Sequence, residues 1–482
     1  MPEKQKPARV PAGPADSNAA DAEQALRDAE KRDGVAPDID AAPPANAHRR
    51  KPPNPLVVML GQERNPLRRA IAILGPGFIT GASDDDPSGI GTYAQAGAAY
   101  GYATLWMTLV MLPMMSAVQY ICAKVGMVSG RGLAGVVREH YSRAVLYPAI
   151  LAMVVANTLN AGADIGAVAA AIGLLVPIPP AIFVVPVALV ILMVQALGSY
   201  SMIERIFKWL ALALIAYIGS ALLSRPNLGE VLVGTFIPTI RPDAAFIGML
   251  VALLGTTISP YLFFWQASHE VEVEVDMGRH RLWQRKGATN KELKYALWDT
   301  LAGMVFSEVV AYFIIMATAS TLFVHGKTNI ASATDAAEAL RPIAGDAATI
   351  LLAVGLIGAG VLAIPVLTGA AAYGVSEAFG WKSGLDRAPT KAPQFYAVIA
   401  IATVLGTAIN FLGINPISAL VITATINGLL APPLLVLVMI VSNNRKIMGD
   451  RTNGRWLNVI GWLTTGLMAL AAIALVVTTV TG

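Results

Sequence analysis

Apolar segments of about 20 residues recur along most of the chain, and this repetition constrains the fold more than any other feature. A helix needs about 20 largely apolar residues to cross the hydrocarbon core of a bilayer. Charged residues make up 14% of the chain, against about 25% in soluble proteins, and the mean hydropathy is +0.59. The sequence therefore predicts an all-α polytopic membrane protein with about eleven transmembrane helices, at 70–98, 103–123, 145–173, 180–198, 206–223, 245–267, 297–323, 347–373, 393–411, 417–441 and 457–479.

The first 55 residues differ from the rest of the chain. They are rich in Ala, Pro, Asp, Glu and Lys and contain almost no aromatic or β-branched residues. Such a composition cannot bury a core, so we predict a disordered cytoplasmic tail over 1–55 and a membrane domain over 66–482. The single cysteine, Cys122, excludes a disulfide framework. The partner expected from this composition is the lipid bilayer, with no nucleic acid and no obligate protein partner.

Lysine and arginine are distributed unevenly between the predicted loops. Of the 35 such residues, twelve precede or begin the first span, and most others lie beside alternate connections. Positive residues accumulate on the cytoplasmic side of membrane proteins. We therefore predict a cytoplasmic N-terminus and an external C-terminus. The loops on the other side hold only Arg225, Arg241, Lys327 and Arg341.

Acidic residues lie within the predicted spans, although no lysine or arginine accompanies them there. A charge at the bilayer centre is costly and commonly marks a path for a substrate or an ion. Asp299 is placed at the edge of the seventh span, where we expect it to reach water. The acids well inside spans are Asp84, Asp85, Asp86, Asp164 and Glu308.

The third span carries a polar stripe in "ANTLNAGADIGAV". Asn157, Asn160 and Asp164 are spaced i, i+3 and i+7, which places them on one face of a helix. A polar stripe on a membrane helix is expected to face the interior of the bundle or water. These three residues are therefore candidates to line an ion path.

Two of the predicted spans contain helix-breaking residues near their middle. The first reads "GASDDDPSGIG" around Pro87, and the sixth reads "GTTISPYLFF" around Pro260. Proline removes a backbone donor and disfavours helix at the preceding residue. Broken helices at corresponding positions of two halves are typical of inverted-repeat transporters with a binding site at the membrane midplane.

At these residues the chain resembles the Nramp family of divalent-metal transporters, from about Leu74 to Trp462. The matching segments are "GPGFITGASDDDPSGIGTYAQAGA", "LGINP" at 412–416 and "NNRKIMGDRTNGRWLNVIGW" at 443–462. The resemblance implies a five-plus-five inverted repeat with broken helices 1 and 6, followed by an eleventh helix. It also implies that the metal ion is the substrate, with no cofactor and no enzymatic activity.

The resemblance implies a set of metal-binding residues and shows where this chain departs from the family. Asp86 matches the family's metal-binding aspartate, while Gly89 replaces its asparagine, which leaves room for a hydrated ion. Ser259 and Tyr261 replace a methionine and a histidine of the sixth span, and Ala424 replaces a glutamine of the tenth. The expected metal ligands are Asp86, Asp85, Ser83, Gly89, Thr256 and Ser259, and the expected ion or proton pathway is Asp164, Asn157, Asn160, Glu308 and Tyr261.

These departures favour a hard metal ion, because only oxygen ligands remain. The pattern is similar to that of the divergent, magnesium-transporting branch of the family. We therefore expect uptake of Mg²⁺ or Mn²⁺ into the cytoplasm through a bacterial inner (plasma) membrane, without proton coupling. A proton-coupled Mn²⁺/Fe²⁺ symporter and a carrier of organic cations or amino acids remain as alternatives.

Overall fold

The computed structural model describes residues 75–197, 216–330, 332–341, 345–385 and 387–481. The predicted tail over 1–55 and most of the predicted fifth span lie outside these residues. Every regular element in these ranges is helical. The membrane helices are α1 Pro76–Asp84, α2 Pro87–Tyr100, α3 Trp106–Ser129, α4 Arg143–Leu175, α5 Ala181–Leu197, α6 Ala244–Thr257, α7 Pro260–Asp276, α8 Asn290–Thr321, α9 Ala348–Phe379, α10 Pro393–Ile409, α11 Pro416–Asn443 and α12 Arg455–Thr481.

Short helices lie between these elements, at Leu133–His140, Leu228–Phe236, Leu282–Arg285, Ala333–Glu338 and Arg445–Met448. Within the described part of the chain, seven helical segments are long and apolar enough to cross a membrane, and the pair α6 and α7 counts as one of them. The apolar helices α5 and α10 are shorter. Ten of the eleven predicted spans therefore correspond to described helices, the first as the pair α1 and α2. The predicted sixth span is likewise the pair α6 and α7.

Small residues let the broken helices approach their neighbours closely. A Cβ atom built on Gly81 in α1 would lie 2.3 Å from the backbone carbon of Gly303 in α8. A Cβ atom on Gly255 in α6 would lie 2.1 Å from the carbonyl oxygen of Ala424 in α11. Close approach through glycine is common between membrane helices because packing, rather than exclusion of water, drives their association. These contacts fix α1 against α8 and α6 against α11.

The prediction that Asp299 reaches water at the edge of α8 is wrong. Its side chain is buried, and its two carboxylate oxygens accept hydrogen bonds from three backbone N–H groups at the start of α1. The donors, at 2.7 to 3.0 Å, are Gly75, Gly77 and Phe78. The first N–H groups of a helix lack partners within the helix, so Asp299 satisfies them from α8. A tertiary contact has therefore replaced the solvent that the sequence suggested.

Candidate functional site

The break in the first span lies between Asp84, the last residue of α1, and Pro87, the first residue of α2. Asp86 is the N-cap residue of α2, in an extended conformation. Its Oδ1 atom accepts hydrogen bonds from the backbone N–H of Gly89 and from the hydroxyl of Ser88, both at 2.6 Å. Aspartate is a favoured N-cap and proline a favoured first helical residue. The sequence DPSG therefore stops one helix and starts the next.

The second carboxylate oxygen of Asp86 faces α4. Asn160 donates from Nδ2 to Asp86 Oδ2 at 3.0 Å and to Asp164 Oδ2 at 3.2 Å. The Oδ1 atom of Asn160 accepts a hydrogen bond from Asn427 in α11 at 3.0 Å. We call Asp86, Asn160, Asp164 and Asn427 the Asp86 cluster. It joins the break in the first span to the polar stripe predicted on α4.

The Asp86 cluster is buried and rich in oxygen. Each of its four side chains is at most 1% exposed. Asp164 Oδ1 and Asn427 Oδ1 have no hydrogen-bond partner among the described residues. No ion pair in the described ranges involves either aspartate. Buried carboxylates without a positive partner are costly, so this arrangement suits a bound cation.

The break in the predicted sixth span lies between Thr257, the last residue of α6, and Pro260, the first residue of α7. The hydroxyl of Ser259 donates to the carbonyl oxygens of Gly255 at 2.5 Å and Thr256 at 2.7 Å. These bonds satisfy carbonyl groups that the end of a helix would leave without partners. Ser259 therefore closes the end of α6 in this conformation.

Hydrogen bonds join the two breaks to each other. The hydroxyl of Tyr93 in α2 lies 2.9 Å from that of Thr257 in α6. Tyr261 in α7 donates its hydroxyl to the carbonyl oxygen of Ser83 in α1 at 3.0 Å. Thr256 reaches the first break as well, through a longer contact of 3.4 Å with the hydroxyl of Ser88, which itself donates to Asp86.

The structure places other predicted residues outside the Asp86 cluster. Asn157 donates to the carbonyl oxygen of Leu367 at 3.1 Å, away from both aspartates. Asp84 and Asp85 accept hydrogen bonds from Ser307 in α8, at 2.7 and 3.3 Å. Glu308 follows Ser307 on α8 and is 4% exposed. The predicted acids therefore divide between two faces of the first break.

Gly89 does not leave the free space that the sequence suggested. A Cβ atom built there would lie 2.9 Å from the carbonyl oxygen of Asp84 and 3.3 Å from the ring of Tyr93. The backbone of α1 occupies the space that a side chain would need. Gly89 instead contributes its backbone N–H group, which binds Asp86.

Sequence reasoning missed Asn427 and Ser307 as neighbours of the acids. Asn427 lies one turn after Ala424 on α11, so that an amide still reaches the cluster from the tenth span. Its signal in the sequence is a single amide within an apolar run, "SALVITATINGLL". Serine is common in membrane helices, and nothing near Ser307 in the sequence distinguishes it.

The sequence profile of the natural resistance-associated macrophage protein-like (Nramp) family matches residues 77–478. The chain belongs to the Nramp family. Within that family it is 28% identical over 424 residues to the divalent metal cation transporter MntH of Pectobacterium carotovorum (strain PC1), covering 86% of this chain and 95% of the relative. It is 27% identical over 407 residues to MntH of Klebsiella pneumoniae (strain 342), covering 83% and 92%.

A solved structure shows the same Nramp fold. The crystal structure of a manganese transporter of Eremococcus coleocola, in complex with an aromatic bis-isothiourea substituted compound, superposes with a TM-score of 0.68 at 18% identity. The match covers 86% of this chain and 87% of that one. The Nramp relatives are metal-ion transporters by name, not enzymes. The chain is thus an integral membrane protein with the all-helical fold of Nramp transporters, including the two broken helices.

Proposed function

We propose that the protein moves divalent metal cations across the membrane toward the cytoplasm, with Asp86 as the principal metal ligand. The observation that carries the proposal is the convergence of Asp86 and Asp164 on Asn160, deep in the protein and without an ion pair among the described residues. Two ionised carboxylates in such a site are stabilised by a bound cation. The names of the relatives, a divalent metal cation transporter and a manganese transporter, support the same class of substrate.

We propose Mg²⁺ and Mn²⁺ as the favoured ions, as in the magnesium-transporting branch of the family. The side chains of the Asp86 cluster offer carboxylate and amide oxygens, which are hard ligands. The second break supplies hydroxyl and carbonyl oxygens from Thr256 and Ser259, where a thioether would favour softer metals. The further ligands that we propose beside Asp86 are Asp85, Ser83, Gly89, Thr256 and Ser259, through side-chain or carbonyl oxygens.

Three of these ligands need a change of partner before they bind metal. The carboxylate of Asp85 is within hydrogen-bonding distance of Ser307 on α8. The carbonyl oxygen of Ser83 accepts a hydrogen bond from Tyr261, and the hydroxyl of Ser259 is bound to carbonyl groups of α6. The contact between Tyr261 and Ser83 joins the two breaks, so movement of one broken helix against the other would release it, whereas the Ser259 hydroxyl needs only to rotate away from the end of α6. Alternating access in inverted-repeat transporters proceeds by such movements around a fixed site.

We propose that the ion path continues along Asp164, Asn157, Asn160, Glu308 and Tyr261, and that transport is not coupled to protons. Tyr261 takes the place of the histidine expected from the family pattern, and its hydroxyl donates to a carbonyl group rather than to an acid. The asymmetry of Lys and Arg between loops supports a cytoplasmic N-terminus and an external C-terminus in the bacterial inner membrane.

The test is metal uptake into proteoliposomes with simultaneous measurement of internal pH. Asp86→Asn keeps a good N-cap residue for α2 while removing the negative charge, so we expect normal folding and loss of Mg²⁺ and Mn²⁺ uptake. Asp243→Asn is the matched control, because Asp243 is the N-cap of α6 and accepts a hydrogen bond from the N–H of Phe246 at 2.8 Å, but lies exposed. Its uptake should equal that of the wild type.

The outcomes separate the three hypotheses. Saturable uptake without acidification, lost only in Asp86→Asn, supports the proposal. Acidification that follows metal uptake would favour a proton-coupled symporter. Absence of metal uptake, with uptake of organic cations or amino acids in its place, would favour an organic carrier on the same fold.

A further inference from the structure

A second group of acids lies on the side of the first break that faces α8. Ser307 has one hydroxyl, which is within hydrogen-bonding distance of Asp84 Oδ2 at 2.7 Å and Asp85 Oδ1 at 3.3 Å. One hydroxyl proton satisfies one of these oxygens at a time. The remaining oxygens, Asp84 Oδ1 and Asp85 Oδ2, have no hydrogen-bond partner in the described part of the chain. The two aspartates are fully buried, so their charge is not solvated.

A third acid on the same side of the first break, Glu308, is buried without a hydrogen-bond partner among the described residues. It is 96% buried, and neither of its carboxylate oxygens has a hydrogen-bond partner among the residues that the structure describes. Glu308 directly follows Ser307 on α8, the residue whose hydroxyl contacts both aspartates. No lysine or arginine in the described ranges forms an ion pair with these three acids. A buried carboxylate without any partner is costly unless it is protonated or a cation binds it; three buried acids at one place, in a chain of the Nramp family, favour a cation.

This group is separate from the Asp86 cluster. Both carboxylate oxygens of Asp86 accept hydrogen bonds, from Ser88, Gly89 and Asn160. None of those donors hydrogen-bonds to the carboxylate of Asp84 or Asp85, whose described donor is Ser307. The helix break accounts for the separation, because Asp84 ends α1 whereas Asp86 begins α2, and the two side chains turn to different neighbouring helices.

We propose that Asp84, Asp85, Ser307 and Glu308 form a second site for a divalent metal cation, which contains none of the four residues of the Asp86 cluster. Asp85 belongs to this second site in the conformation described here, through Ser307, and joins Asp86 only after it changes partner. The inference rests on the proposed transport of divalent cations and adds a second binding position to it. The site offers carboxylate and hydroxyl oxygens alone, which suit Mg²⁺ and Mn²⁺. Among the described residues no three acids stand close enough to enclose an ion in their present rotamers. Like charges repel, and a divalent ion would draw the unpartnered carboxylate of Glu308 toward the two aspartates.

The number of Mn²⁺ ions bound to the purified full chain tests the proposal. Equilibrium dialysis with Mn²⁺ alone, with free Mn²⁺ quantified by electron paramagnetic resonance, should give two ions per wild-type chain. Glu308→Gln should bind one ion, held by the Asp86 cluster. Asp86→Asn should also bind one ion, held by the second site. The double variant should bind none.

A matched control removes a buried carboxylate elsewhere. Glu377 accepts hydrogen bonds from the N–H of Gly135 at 2.9 Å and from the hydroxyl of Ser268 at 3.0 Å, so both of its oxygens are satisfied. Glu377→Gln should therefore bind two ions, as the wild type does. If Glu308→Gln does not elute as a homogeneous species in size-exclusion chromatography, Ser307→Ala replaces it and should weaken the second ion at least tenfold.

The outcomes distinguish failure of this proposal from failure of the proposed function. One ion in the wild type, lost in Asp86→Asn and kept in Glu308→Gln, would overturn the second site and leave the transport site intact. One ion lost in both variants would mean a single shared site and would also overturn the proposal. No ion bound to any chain would overturn both proposals together.

Discussion

Asn160 holds the two aspartates of the Asp86 cluster in place, and we expect Asn160→Ala to weaken Mn²⁺ binding by about 10- to 100-fold. Its amide donates to Asp86 Oδ2 at 3.0 Å and to Asp164 Oδ2 at 3.2 Å. A hydrogen bond to a charged group contributes about 1.5–3 kcal/mol. Losing the bond that orients Asp86 therefore corresponds to roughly 10- to 100-fold in affinity, at about 1.4 kcal/mol for each factor of ten. Removing a partner that orients a metal ligand costs about the same in other metal sites.

The assay is the dissociation constant of Mn²⁺ by isothermal titration calorimetry, together with the initial rate of uptake in proteoliposomes. Asn157→Ala is the matched control for the dissociation constant alone, since it removes an asparagine one turn earlier on the same face of α4 that lies on the proposed ion path but bonds to neither aspartate. The amide of Asn157 donates to the carbonyl oxygen of Leu367 at 3.1 Å and to the sulfur of Met153 at 3.2 Å. Neither acceptor belongs to the Asp86 cluster. The reasoning is wrong if Asn160→Ala binds Mn²⁺ within about threefold of the wild type. It is also wrong if both variants weaken binding equally.

Three further substitutions test the contacts that hold the site. Asp299→Ala removes the acceptor of three N–H groups at the start of α1, so we expect destabilisation by about 3–6 kcal/mol, measured as a lower midpoint of thermal unfolding in detergent. Gly81→Val places a Cβ atom 2.3 Å from the backbone of Gly303; it should prevent close packing of α1 on α8 and leave little monodisperse protein in size-exclusion chromatography. Asn427→Ala removes a neutral hydrogen bond to Asn160, worth about 0.5–1.5 kcal/mol, and should raise the KM of Mn²⁺ uptake by roughly 2- to 10-fold.

The positions of the membrane helices were predictable because they depend on local properties of the sequence. Apolar length determines where a span lies, and proline determines where it breaks. Both breaks fall immediately before the prolines that the sequence singles out, Pro87 and Pro260.

The ends of α4, Arg143–Leu175, lie within two residues of the predicted span 145–173. The start of α8 was less predictable, because this helix begins at Asn290, seven residues before the predicted span 297–323. The first turn of α8 is stabilised by a capping box between Thr289 and Glu292, which lies outside the apolar stretch.

The partners of the buried polar groups were less predictable, because they depend on which helices the fold brings together. Asp299 lies near the start of a span, where sequence suggests access to water, yet the N-terminal turn of α1 covers it. The resemblance to the Nramp family implies Ser259 as a metal ligand, yet its hydroxyl bonds to its own helix. Asn427 was detectable as an isolated amide in an apolar run, but only contact with Asn160 shows where it points.

The three consecutive aspartates of the first break acquire different neighbours because the helix ends among them. Even in an uninterrupted helix, successive side chains are about 100° apart and cannot all face one neighbour; here the chain also passes from one helix to the next within the run. Asp84 is the last residue of α1 and contacts α8, whereas Asp86 is the N-cap of α2 and contacts α4. Asp85, between the two helices, contacts α8 through Ser307. The run "DDD" is therefore divided between two environments, and substitutions within it should have separable effects on metal binding rather than graded effects on one site.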